Sequence, residues 1–190
     1  MIAVNNRISS KIMLREWLRE ELSYYRVNSV LGYIKMAFEL GESAILAKYQ
    51  LILRKCEFCF NTNHKLGYMF YRIRLCKIQN KYSIHIPINC AGRGLMLKHV
   101  GPVLWNDKVS VGEHCTIHIN TSLVAGKIGG CPTLGNNVYM GVGSIVLGNV
   151  YIADNVVIGA NAVVCKDINE SNISIAGVPA HKLHGKVGMK

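Results

Sequence analysis

A period of six residues constrains this chain more than any other feature. Aliphatic or similar side chains recur at Leu134, Met140, Val146, Ile152, Ile158 and Val164, each six after the last. Four positions beyond the first five of these stand Val138, Ser144, Val150, Val156 and Ala162. The residue directly after the aliphatic position is mostly small, as at Gly135, Gly141, Ala153 and Gly159. The same period runs upstream through Trp105, Val111, Ile117 and Leu123, with Val109, Cys115 and Thr121 at the following inner positions. A repeat with one inward aliphatic and one inward small residue per side predicts a triangular β-solenoid, three short strands to a coil, stacked in parallel. Each coil buries its face only against its neighbours, so the ends need caps.

The two blocks are out of phase, because Leu123 and Leu134 are eleven residues apart and not twelve. The interval from Val124 to Thr133 is rich in glycine and reads as a loop thrown out of the repeat. The first 80 residues have a helical period instead. Leu14, Trp17, Leu18, Leu22 and Tyr25 recur three or four apart behind the cap candidates Ser9 and Ser10. Ser29 to Leu40 and Ser43 to Phe60 repeat the pattern with Gly41 between them, and Leu66 to Ile78 is a weaker case. The expected organisation is an α-helical region over 1–82, a solenoid over 83–185 and a tail over 186–190. The aromatics of the helical part, Tyr24, Tyr25, Tyr68, Phe70 and Tyr71, read as core and interface filling.

Composition narrows the chemistry less. The formal charge is +11, and residues 1–80 carry 13 Lys/Arg against 6 Asp/Glu. That excess favours anionic partners such as phosphates, nucleic acid or a membrane surface without choosing between them. Because the charge is spread through helices and tail, with no basic stripe of stacking aromatics on one face, no nucleic acid is expected. Lys48 and Arg54 interrupt the most apolar segment, so no membrane span is expected, and the first residues lack the pattern of an export signal. The expected compartment is the cytoplasm. Seven scattered cysteines then read as free thiols, and the Cys56–Cys59 pair lacks a second pair for zinc; no metal is expected.

Several segments together carry a resemblance. Gly92 to His99, the Gly129-Gly130-Cys131-Pro132 of the loop, Val138 to Gly143, Ile158 to Ala162 and the closing Ala176-Gly177-Val178-Pro179-Ala180 resemble the hexapeptide-repeat acetyltransferases of the serine acetyltransferase type. The resemblance covers roughly residues 84–185. It implies a mainly β fold, a left-handed parallel β-helix with an N-terminal α-helical segment, and an acetyl-CoA-dependent O-acetyltransferase working as a homotrimer. His99 stands where the family has the base that removes the acceptor hydroxyl's proton, a task suited to a neutral imidazole. The resemblance also implies acetyl-CoA contacts from Ala125, Val142, Ala160 and Gly177, with Lys182 near the phosphates. The lysines Lys186 and Lys190 add positive charge behind it.

Departures from the serine-specific pattern shape the acceptor reading. Those enzymes have an acidic residue directly before the catalytic histidine, an Arg-His pair before the loop proline and a further acid fifteen positions upstream of that histidine. Here the positions hold Lys98, Gly130, Cys131 and Ile84. Lys98 and Cys131 are therefore acceptor-site candidates, and His118 joins them because it stands one position after the inward Ile117 and should point off the coil corner toward a neighbouring chain. A site without charges matching a zwitterion discriminates poorly in its favour. Ile86-Pro87, Asn137 to Tyr139 and Ile152 to Asn155 resemble the branch that serves capsule or surface polysaccharides. The first expectation is thus a sugar or polysaccharide precursor as acceptor, with basic helices touching the inner membrane surface. The alternatives are serine O-acetylation for cysteine biosynthesis and a non-catalytic solenoid scaffold.

Overall fold

A computed structural model describes residues 7–27, 29–127 and 129–183. Four helices come first: α1 (Lys11–Ser23), α2 (Val30–Ala37), α3 (Glu42–Asn61) and α4 (Lys65–Tyr82). Their starts follow from side chains able to take the first free amides. Ser10 accepts from Met13 N–H at 3.1 Å, Ser29 from Gly32 at 3.2 Å and His64 Nδ1 from Gly67 at 3.0 Å. Gly41, with φ of +97°, makes the backward bend from which α3 begins.

From Ile84 the chain is a solenoid of very short strands in three parallel sheets, a left-handed parallel β-helix. The first sheet is β1 (Ile84–His85), β3 (Val103–Trp105), β6 (Thr121–Val124), β9 (Ile145–Leu147) and β12 (Val163–Val164). The second is β4 (Ser110–Val111), β7 (Thr133–Leu134) and β10 (Tyr151–Ile152), extended by bridges at Ala91 and Ile168. The third is β2 (Met96–Leu97), β5 (Thr116–Ile117), β8 (Tyr139–Met140), β11 (Val157–Ile158) and β13 (Ser174–Ala176). A final strand, β14 (His181–Lys182), turns back antiparallel on β13. The chain visits the sheets in fixed rotation, so each coil has three sides and three edges.

The period of six is the period of burial. Leu134, Met140, Val146, Ile152 and Ile158 are all 0% exposed, as are Val138, Ser144, Val156 and Ala162 between them. The upstream block behaves alike from Trp105 through Leu123. Side chains from five successive coils thus make one apolar column. The phase break also has its cause: β6 pairs with β9 and β4 with β7, so the coils stack in register while residues 125–127 and 129–132 leave the prism between two sides.

The helices close the first coil. A solenoid end exposes a row of backbone groups with no next coil to bond. Gln79 Nε2 donates to Ile86 O at 2.9 Å, Gln50 Nε2 to Leu95 O, and Tyr25 Oη both donates to Leu97 O and accepts from its N–H. Arg54 donates to Ala91 O at 3.1 Å and Gly92 O at 2.7 Å while pairing with Glu21 at 2.7 Å and Glu57 at 2.9 Å. All three charged side chains are fully buried. Burial works against the Arg54 charge, but the two carboxylates outweigh it and push its pKa up. Glu57 reaches further, accepting from Asn89 N–H at 2.8 Å.

Candidate active site

His99 follows β2 in the turn that carries the chain from the third sheet to the first. Its side chain is about half exposed. One coil on, His118 follows β5 at the same edge, and the two imidazoles lie 5.8 Å apart between ring centres. His118 Nε2 is bonded to Tyr139 Oη at 2.7 Å, Tyr139 belonging to the coil after that. Its Nδ1 is buried without a hydrogen-bond partner among the described residues. Burial lowers the pKa of His118, helped by the nearby His99 and Lys98. His118 is thus a neutral ring at neutral pH, held by Tyr139.

The other face of His99 meets a residue the sequence did not point to. Glu42, the first residue of α3, places Oε2 at 3.3 Å from His99 Nδ1, and its Oε1 accepts from Val100 N–H at 2.8 Å. That amide bond lowers the pKa of Glu42, against a smaller desolvation and with a further contribution from His99. The residues are 57 positions apart, and no local pattern links them. Glu42 also lines a cavity of about 380 Å³, with Tyr25, Arg26, Lys35 and Leu40 on its walls.

The candidates named from the sequence divide between two edges of the prism. Val142 follows β8, Ala160 follows β11 and Gly177 follows β13, all at the edge of His99 and His118. At ~4.8 Å per coil the ridge from His99 to Gly177 spans four steps, or ~19 Å. Val142, Ala160 and Gly177 are all exposed on this ridge. Ala125 and Cys131 lie in the loop between the first and second sheets, at a different edge. Cys131 Sγ contacts Asn106 Oδ1 at 3.2 Å. Within one chain the structure therefore groups His118 and Lys98 with His99 and sets Cys131 apart. Two of the loop's amides serve the loop itself, Gly126 bonding Gly130 O and Gly129 bonding Gly126 O. Lys182, on β14, is ion-paired with Glu170, while Lys186 and Lys190 fall outside the described residues. Ile84 is fully buried in β1. Cys56, Cys90 and Cys115 are buried thiols pushed up to about 12, a range in which the reactive thiolate is scarce.

Comparison with known proteins supplies the context. Residues 131–166 match the family of bacterial transferase hexapeptide repeats (six repeats). A serine acetyltransferase of Synechococcus elongatus is 34% identical over 134 residues, which are 64% of this chain and 54% of the relative. A serine acetyltransferase of Helicobacter pylori is 39% identical over 87 residues, 44% of this chain and 51% of the relative. The chain spans about half the length of the curated relatives it matches. Among solved structures, the serine acetyltransferase (CysE) of Neisseria gonorrhoeae in complex with serine aligns with a TM-score of 0.66 at 23% identity, over 92% of this chain and 71% of that one. A serine acetyltransferase in complex with CoA aligns at 0.65 and 20% identity, over 91% and 71%.

These findings overturn the sugar or polysaccharide acceptor, since the matching proteins carry serine acetyltransferase activity in their names. The structure explains the misreading. Asn137 and Asn155, from the short motifs that suggested the polysaccharide branch, sit at positive φ of 55° and 58° in the coil corners, and Ile86 is fully buried. Those motifs encode how a coil turns and packs, and carry no information about the acceptor.

Proposed function

We propose that the protein is an acetyl-CoA-dependent serine O-acetyltransferase in which His99 is the general base. The observation that carries the reading is the exposed His99 standing on the same edge as Val142, Ala160 and Gly177. One base thus shares a ridge with Val142 and the small residues Ala160 and Gly177. The acceptor is taken from the relatives, which are serine acetyltransferases by name. His99 Nε2 takes the proton of the serine hydroxyl as its oxygen attacks the thioester carbonyl. The tetrahedral intermediate collapses by breaking the C–S bond, and the imidazolium returns the proton to the leaving thiolate. O-Acetylserine and the CoA thiol result, with no net proton change at the enzyme. Acetyl-CoA is a co-substrate here, and the steps call on no metal.

We infer a homotrimer from the division of candidates between edges. Ala125 and Cys131 of the loop can line a site with His99 only if a neighbouring chain brings its loop to this chain's ridge, and threefold closure does so for every site at once. The cytoplasm, where acetyl-CoA and reduced thiols coexist, is the compartment this reading favours. Contact of the basic helices with a membrane surface was tied to the glycan acceptor and has no other support. Among the described residues no helix is long and apolar enough to cross a membrane.

The test is thiol release from acetyl-CoA with and without L-serine, by the wild-type protein and by His99→Ala. Serine-dependent release with O-acetylserine as product, reduced about 10²-fold or more in the variant, is the expected result. Equal release by the two proteins would remove His99 from the chemistry.

A further inference from the structure

The residue fifteen positions before His99 is Ile84, which is packed into the core and offers the histidine no acid. A different element fills the gap. We propose that Glu42, contributed by helix α3, is the positioning carboxylate of His99: it selects the imidazole tautomer, fixes the ring and stabilises the imidazolium formed during the reaction. This deepens the reading of His99 as general base and rests on it.

The geometry makes the case. Glu42 grips the histidine segment at two points, with Oε1 on Val100 N–H at 2.8 Å and Oε2 at 3.3 Å from His99 Nδ1. The backbone and the side chain of one turn are thereby referred to the same helix. A carboxylate has only acceptor lone pairs, so the second contact becomes a hydrogen bond only when Nδ1 carries the proton. Nε2 is then bare, which is the state a base requires. A neutral histidine side chain free in water holds its proton mainly on Nε2, the wrong nitrogen for this task. The carboxylate reverses that preference, and its amide bond keeps it ionised at neutral pH. The charged and titratable side chains that contact His99 are Glu42 from α3 and His118 from the next coil, and Lys98, its neighbour in the chain, acts on the same His118. Neither Lys98 nor the neutral His118 stabilises positive charge on His99. Glu42 is the group that does.

The position at the start of α3 is well suited to the task. Helix α3 is anchored in the first coil through Gln50, Arg54 and Glu57, so its first turn is fixed relative to the β2 turn. The helical region is therefore both the cap of the solenoid and part of its chemical machinery. Without it, the solenoid would present His99 with no acid on Nδ1.

The test pairs spectroscopy with kinetics on the full chain. Glu42→Gln keeps the size of the side chain and an oxygen for Val100 N–H, and removes the charge. In protein labelled with ¹⁵N-histidine, with His99 assigned through His99→Ala, the wild type is expected to show the Nδ1–H tautomer and Glu42→Gln a shift towards Nε2–H. Serine-dependent kcat should fall about 10²-fold in the variant, while KM for acetyl-CoA and the thermal midpoint stay near wild type. Glu42→Ala, which loses both contacts, should fall at least as far. A wild-type His99 already in the Nε2–H form, or a tautomer unchanged by Glu42→Gln, would overturn the assignment. So would a full kcat in the variant. If the wild type released no thiol with serine, the proposed activity would fail, and the tautomer measurement would still decide the role of Glu42.

Discussion

At the scale of the residue, what a position does here depends on how close the next coil comes. A Cβ built on Gly141 would lie 2.8 Å from both Ala160 N and Ile158 O, backbone atoms of the coil above. Backbone cannot yield as a flexible side chain would, so Gly141→Ala should push β8 and β11 apart and cost about 1–3 kcal/mol. The expected result is a lowered thermal midpoint, read by circular dichroism, and, on the proposed reading of Val142 as an acetyl-CoA contact, weaker acetyl-CoA binding. An unchanged midpoint would show that the coils breathe enough to take a methyl group. The sequence marked this position as small, but which atoms demand smallness was not readable from it. His118 is similar: its type and place beside the inward Ile117 were visible, yet its bond to Tyr139 depends on a residue in another coil. Recurring asparagines were an unused signal. Asn137, Asn155 and Asn172 precede inward residues at successive corners with φ near +60°, and asparagine tolerates that region better than most side chains.

At the scale of the element, the helices answer to the open end of the solenoid. Arg54 is the hinge of that arrangement, joining α1, α3 and the backbone of the first coil at full burial. Replacing it with methionine keeps much of the volume but leaves Glu21 and Glu57 buried together with no cation, and leaves Ala91 O and Gly92 O without their donors. Arg54→Met should destabilise the protein by about 3–5 kcal/mol. Chemical denaturation would measure it, and recovery in a triple variant that also makes both glutamates apolar would separate uncompensated charge from lost packing. The helical pattern was legible in the sequence, including the caps at Ser10 and Ser29 and the bend at Gly41. The buried ion cluster was not, because Lys and Arg in an amphipathic helix read as solvent-facing until the element they pack against is known.

At the scale of the whole molecule, the proposed homotrimer would bring the glycine-rich loop edge of one chain to the His99 edge of the next. Sedimentation equilibrium should give three times the chain mass, 21.1 kDa, and a stable monomer with full activity would refute the shared site. The solenoid was legible in the sequence. A six-residue repeat of inward side chains can be buried only by coils of three short sides, so periodicity alone carries the fold from Trp105 to Val164, and the phase break announces the loop. The motif around His99 singled that residue out as the candidate base on which the proposed function rests. Everything that joins distant parts of the chain became visible only in the folded molecule: the Glu42 carboxylate on His99, the helical groups that satisfy the first coil, and the separation of Cys131 from the histidines. The physical reason is range. Repeats are set by local burial that recurs along the chain, whereas a hydrogen bond between a helix end and a coil turn exists only once both are packed against the same core.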